Sequence, residues 1–227
     1  MKNLYLHHHL GLGDSIICNA IVRHYCKIYE NVFLFVKNKY LPTISFMYRD
    51  LNNIKFIIIK EGSDLNYELN YSRSFTPLNP NSDYIEIGFD YLNTSDRQFD
   101  KAFYRQAGID FSKRFEDFHV ERDLEREKKL FNSLNIKENE YIFVCNLSST
   151  GKVDINLNKS DNKKIVYLEQ LTENMFDWVY TAMNSYKLYA VDSAFSCMID
   201  SFDLKIPLYI QSRNNLFVIQ KNNWIKI

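Results

Sequence analysis

Glycine and proline are scarce in this chain, six and four among 227 residues, which excludes collagen-like and low-complexity structure. No stretch approaches 18 uninterrupted apolar residues, so no membrane-spanning helix is expected. The N-terminus lacks the basic segment, apolar stretch and small-residue cleavage site of a secretory signal. Neither sign of charge is in excess, since 28 Lys and Arg balance 28 Asp and Glu. No global field draws such a protein to nucleic acid or an acidic membrane, and any anion site must be local. Cys18, Cys26, Cys145 and Cys197 show no CxxC spacing and lie in apolar segments, which suits reduced buried thiols better than a disulfide framework or a zinc site. These absences lead to the expectation of a soluble, cytoplasmic protein, at most peripheral to a membrane.

The residues present are those of an ordinary globular protein, 46% hydrophobic and 15% aromatic, with no internal repeat. The length suits one large α/β domain or two small ones. In the first half, strand-like segments at 3–8, 32–36, 54–59 and 84–89 alternate with helix-like ones at 15–29 and 40–49, and such alternation implies a parallel sheet covered by helices. Ile16, Ile17, Ala20, Ile21, His24 and Tyr25 recur at three- and four-residue spacing, an apolar stripe for the sheet. Asp14 or Ser15 is the expected N-cap of that helix. Residues 62–82 are polar and turn-rich and read as a long surface loop. A helix over 96–108 is expected to end at Gly108, and a charged helix over 121–134 to use Leu124, Leu130, Phe131 and Leu134 as its apolar positions. The second half restarts with strands at 141–145, 164–168, 187–191 and 208–211 and helices near 175–185 and 194–202. Residues 149–163 are too polar for a buried element.

The segment LYLHHHLGLGDSIICNAIVRHY, residues 4–25, combines a strand end, two glycines, a carboxylate and a helix. Gly11 and Gly13 are able to adopt positive φ and admit a ligand to the backbone, and the helix start adds N–H groups and partial positive charge. The third glycine of a dinucleotide-binding GxGxxG is missing, because Ile16 stands there, so a nicotinamide-dependent oxidoreductase is disfavoured. His7, His8 and His9 form a short internal run that alternates across the strand, so neighbours face opposite sides. His9, beside the turn, is the favoured substrate contact. No metal site is expected, because adjacent strand residues diverge and no carboxylate or Cys has ligand spacing to them.

HHHLGLGDSIICNAIVR resembles the N-terminal signature of glycosyltransferases related to the ADP-heptose:lipopolysaccharide heptosyltransferases, whose first strand ends in a Gly-x-Gly-Asp turn. YAVDSAFSCMID, residues 189–200, is similar to a later segment of that family, a strand followed by Asp-Ser/Thr, a small residue and a helix. FDKAFYRQAGIDFSKRFEDFHVERD has the look of the region between domains in short relatives. The resemblance implies a GT-B-like α/β fold of two Rossmann-like parallel-sheet domains, over residues 1–120 on the acceptor side and 121–227 on the nucleotide-sugar side, the C-terminal one reduced. It also implies sugar transfer from a nucleotide-sugar donor to a glycan or lipid-linked acceptor hydroxyl, inverting, with neither metal nor cofactor. Matched position by position, Asp14 takes the place of the general base, and His9, Gly11, Leu12 and Gly13 lie against the acceptor. Lys152, Asp192, Ser193 and Ala194 match the diphosphate-binding positions. Apart from the resemblance, Arg105 and Arg122 are candidates for contacting anionic groups, against the favoured reading of solvated or ion-paired arginines. A reduced second half would hide exposed apolar surface by dimerising. The alternative is a non-catalytic nucleotide- or carbohydrate-binding protein with a degenerate form of the fold.

Overall fold

The computed structural model describes residues 2–59, 65–75, 81–89, 98–157, 162–212 and 221–227. The chain divides into two compact units, Met1–Glu121 and Arg122–Ile227.

In the first unit, β1 (Asn3–His8), β2 (Asn31–Lys37), β3 (Ile54–Ile59) and β4 (Ser82–Ile87) form an all-parallel sheet in the order β3-β2-β1-β4. β1 is central and almost wholly buried, as a strand with both faces covered must be. Its Tyr5 joins Leu10, Phe35 and Ile59 in an apolar cluster flanked by Phe33, Tyr71, Phe75 and Tyr84.

The helix expected over 15–29 is two helices, α1 (Leu12–Ile17) and α2 (Asn19–Cys26), broken at Cys18. The break has an identifiable cause. The Tyr104 hydroxyl donates to the Ile17 carbonyl at 2.8 Å, and the Asn19 side chain exchanges hydrogen bonds with the His119 backbone at 3.0 and 3.1 Å. The N-cap is Gly11, and neither Asp14 nor Ser15 fills that role. The Ser15 N–H and hydroxyl both donate to the Gly11 carbonyl at 3.0 Å, which starts the helix three residues earlier than expected. α3 (Leu41–Met47) follows a short 3₁₀ turn at Asn38–Tyr40.

The expected loop over 62–82 contains a helix, α4 (Leu65–Arg73). Residues 76–80 and 60–64, with the start of the helix expected from residue 96, lie outside the described residues. α5 (Phe99–Gln106) ends as expected, with Gly108 just beyond it at φ +67°. A short α6 (Lys113–Glu116) places Arg114 against Asp100 in a buried ion pair.

The second unit opens with α7 (Leu124–Ser133), capped by Asp123, whose carboxylate accepts the Arg126 N–H at 3.0 Å. Leu124 is exposed, contrary to its expected apolar role; Leu130 and Phe131 are buried. β5 (Tyr141–Cys145) is followed by a small antiparallel hairpin, β6 (Leu147–Ser148) and β7 (Gly151–Lys152). Then come β8 (Lys164–Tyr167), α8 (Val179–Met183), β9 (Lys187–Val191), α9 (Ala194–Asp200), β10 (Leu208–Gln211) and β11 (Trp224–Lys226). The large sheet has the order β11-β10-β9-β5-β8, again all parallel. β11 has no counterpart in the sequence reading. Asp200, fully buried on α9, holds it in place by accepting from the backbone N–H groups of Lys221 and Asn222 and from the Trp224 indole at 2.9–3.1 Å. No helix among the described residues is long and apolar enough to cross a membrane.

Candidate functional site

Each sheet has one place where the direction of winding reverses. In the first sheet β2 and β3 lie on one side of β1 and β4 on the other; in the second, β8 lies on one side of β5 and β9 on the other. Ligands of open α/β sheets gather beyond the carboxyl ends of the strands at such points. The Gly11–Asp14 turn follows β1, and Asp192 and Ser193 follow β9, so both sequence motifs stand at a reversal.

At the first reversal the ends of β1 and β4 meet. The His9 N–H donates to the Ile87 carbonyl at 2.9 Å. Gly88 follows at φ +93°, where a Cβ would approach Phe103 to 2.6 Å and the His9 Cβ to 3.1 Å. The strand expected over 84–89 runs from Ser82 to Ile87, and Gly88, which the sequence reading does not single out, stands in the bend after it. Next to it, His9 Nδ1 and Asp14 Oδ2 are 2.7 Å apart. Gly11 makes this pair feasible. A Cβ there would lie 2.3 Å from Asp14 Oδ2, so the missing side chain is the space into which the carboxylate folds. The expected positive φ is not used: Gly11 is extended at φ −67°, ψ 147°, and Gly13 lies within α1. Leu12, Gly13 and Asp14 are half-buried at the start of that helix.

The three histidines have different fates. His7 is buried toward α4, with Nδ1 2.6 Å from the Ser72 hydroxyl, which in turn is 2.8 Å from the Tyr84 hydroxyl; Tyr84 donates to Glu86, and Arg73 holds Glu86 with two bonds. Burial pushes the His7 ring down to about 3, so it is neutral. His8 is buried as well, donates from Nδ1 to the His9 carbonyl at 2.8 Å, and is lowered by desolvation. His9 is raised above the ordinary imidazole value, chiefly by its hydrogen bond to Asp14 and against the effect of burial. Lys37 at the end of β2 and Glu68 on α4, themselves paired at 2.7 Å, oppose and support that shift respectively. Neither was foreseen from the sequence.

At the second reversal Asp192 is buried and its N–H donates to the Gln211 carbonyl at 3.3 Å. Ser193 caps α9, its N–H donating to the Ser196 hydroxyl at 2.8 Å, and its Oγ stands 4.0 Å from the Cys145 thiol. Ala194 is the first residue of the helix. Lys152 is exposed on the hairpin that follows β5. Arg105 is exposed on α5, and Arg122 is tied to Glu127 at 2.5–2.9 Å. Among the described residues no group of three or more His, Cys, Asp or Glu side chains is placed to hold a metal ion.

No protein-family profile and no curated protein matches the chain in sequence. Solved structures do match. A glycosyl transferase of family 9 from Veillonella parvula aligns over 100% of this chain and 86% of its own, with a TM-score of 0.61 at 11% identity. The E. coli ADP-heptose LPS heptosyltransferase II aligns over 100% and 90%, with a TM-score of 0.59 at 11% identity. The fold is that of family 9 glycosyltransferases. A further match, the iron-containing dodecameric glycosyltransferase TibC of enterotoxigenic E. coli, covers 93% of this chain and 58% of its own, with a TM-score of 0.56 at 10% identity. At such identities the likeness is one of backbone, and this fold puts the His9–Asp14 pair at the winding reversal of its first sheet and Ser193 at that of its second.

Proposed function

We propose that the chain is a glycosyltransferase that moves a sugar from a nucleotide-sugar donor to an acceptor hydroxyl, inverting the anomeric carbon without a metal. The reading is carried by the His9–Asp14 pair at a winding reversal, in a fold shared with sugar-transferring enzymes. An attacking hydroxyl must lose its proton as the new bond forms, and a hydrogen-bonded carboxylate–imidazole pair at a half-open strand end is equipped to accept it. In this reading Asp14 and His9 form the proton-accepting pair, and Gly11, Leu12 and Gly13 supply close backbone to the acceptor, a glycan or lipid-linked sugar. Ser193, Ala194 and Asp192 line the diphosphate, and Lys152 balances the charge that grows on the departing nucleotide. Mostly buried thiols that form no disulfide suit a reducing cytoplasmic setting: burial raises Cys26 to about 11 and Cys145 to about 12. Work at a membrane periphery and self-association are compatible parts of the proposal.

The test is turnover over a panel of ADP-, GDP-, UDP- and CMP-sugars with and without chelator. Asp14→Ala is expected to lower turnover by about 10²–10⁴-fold, the usual contribution of a positioned acid–base group. Binding of a nucleotide sugar with no turnover would instead identify a non-catalytic binding protein.

A further inference from the structure

We infer that β3 is a docking strand and that its occupant is β3 of a second copy of this chain, paired antiparallel about Phe56. Such pairing needs nothing from the sugar-transfer reading. β3 is an edge of the first sheet and is bonded within it to β2 alone. The Val32 N–H donates to the Asn53 carbonyl at 2.9 Å, and that bond fixes the parity of the ladder, because successive residues of a strand turn their backbone groups to opposite sides. Lys55, Ile57 and Ile59 therefore commit their N–H groups to β2, whereas Ile54, Phe56 and Ile58 turn N–H and carbonyl to the sheet edge. Among the described residues no hydrogen bond reaches those edge groups.

An open edge is a template for a further strand, and folded proteins blunt it with short length, proline, a bulge or charge. β3 carries little of that protection. It runs from Ile54 to Ile59 in unbroken register with β2 and contains no proline, and its one charge, Lys55, lies over the Phe33 ring at 5.5 Å. Ile58 is 42% exposed. The other edge strands differ: β4 carries Asp83 and Glu86, β8 has four residues and β11 three. A second copy fits because β3 is complementary to itself. A two-fold axis at Phe56, perpendicular to the sheet, sets Ile54 against Ile58 of the copy and Phe56 against Phe56, each pair exchanging both backbone bonds. Lys55 then faces Ile57 of the copy and not a second lysine, so no like charges oppose across the pair. The exposed Ile58 side chain gains a cross-strand neighbour, and the first sheets of the two copies become one continuous sheet. A single strand pair is a small interface, so the dimer is weak and depends on concentration.

Sedimentation velocity of the full chain over rising concentration reads the dimer, and amide hydrogen exchange reads the edge. The sedimentation coefficient should climb toward that of twice the chain mass. In the dimer the amides of Ile54, Phe56 and Ile58 should exchange more slowly by about tenfold or more, while those of Lys55, Ile57 and Ile59, already bonded to β2, change little. Ile58→Lys puts a charge on an exposed position, and Ile58→Pro removes an N–H that β2 does not use. Each should weaken self-association by about tenfold or more, with the circular dichroism of the monomer unchanged, and Ile58→Lys serves alone if the proline variant does not fold. On oxidation Phe56→Cys should form an intermolecular disulfide, because the paired Cα atoms stand about 5.5 Å apart. Lys55→Cys, whose copies lie diagonally at about 7–8 Å, should not, with wild type as the control for native thiols. Wild type that stays monomeric at every concentration leaves the edge to a different chain and overturns the inference. A dimer undiminished by folded Ile58→Lys, or one cross-linked through Lys55→Cys and not through folded Phe56→Cys, overturns it as well.

Discussion

Substituting Gly11 by alanine isolates the contact between Gly11 and Asp14. At φ −67° and ψ 147° the backbone accepts alanine without strain, so the effect is confined to what the new Cβ meets. It would lie 2.3 Å from Asp14 Oδ2 and 3.3 Å from Cγ. Relief of that contact needs a retreat of the oxygen by about 1 Å, to an ordinary van der Waals separation. Displacement on that scale carries the 2.7 Å bond to His9 past the limit of a useful hydrogen bond. The loss at the N-cap should be about 1 kcal/mol or less, because Gly11 provides no side-chain cap to begin with. The variant should therefore fold, and its His9 should titrate nearer 6.5, the ordinary value. The stability consequence has a definite sign. A histidine raised in the folded state contributes stability that is present below its unfolded value and is lost as pH rises through the folded one. The deficit of Gly11→Ala should thus be larger below pH 6.5 than above the folded His9 value. Histidine NMR titration of both proteins, with urea unfolding at two pH values, checks it. A His9 titration identical in the two proteins would refute the reasoning.

Three other perturbations follow from the buried polar groups. His7, pushed down to about 3 by burial, binds fewer protons folded than unfolded, so stability falls as pH drops below 6.5; between pH 7 and 5 the loss is about 2 kcal/mol. His7→Phe, beside Phe35 and Phe89, should shrink that acid loss in urea titrations, and an unchanged loss would rule it out. Asp200→Ala strands the donors of Lys221, Asn222 and Trp224 and should cost about 2–4 kcal/mol, with altered tryptophan emission before global unfolding. Arg114→Ala leaves the Asp100 carboxylate buried without its guanidinium and should cost about 3–5 kcal/mol. The double change to Asp100→Leu and Arg114→Met should cost much less, and equal losses in denaturant would count against the ion-pair account.

β1, β5 and β9 were readable because they are short apolar runs buried on both faces, and they begin where the sequence pattern begins. Helix α4 was hidden by its chemistry. The positions it buries most deeply are Glu68, paired with Lys37, and Ser72, bonded to His7, so its inward face, which also carries Tyr71, is largely polar and the segment has the composition of a loop. β11 has three residues, and its position depends on a carboxylate more than 20 residues earlier, a relation that periodicity does not carry. At the site, the Gly-x-Gly-Asp turn drew attention to Asp14, which stands in the first turn of α1 just after β1. The i to i+5 link to His9 was not legible, because it depends on the helix starting at Leu12 with Gly11 as cap. The glycine itself was misjudged: its value is vacant volume and not torsional freedom.

Three identical residues in a row show what the fold adds. Alternation along β1 sends His7 toward α4 and His8 to the opposite face, and burial makes both poor bases. His9 comes after the last residue of the strand, where alternation ends and the chain bends toward α1. Of the three, His9 is the one that reaches a carboxylate and keeps partial access to solvent. A one-residue shift in the register of β1 would move His8 into the place that His9 now holds and carry His9 further into the turn, and the pairing with Asp14 would be lost. The register is fixed by Leu4 and Leu6 on one face and Tyr5 on the other. The packing of the first strand therefore decides which histidine is available for chemistry, and residues far from the turn carry part of the burden of placing it.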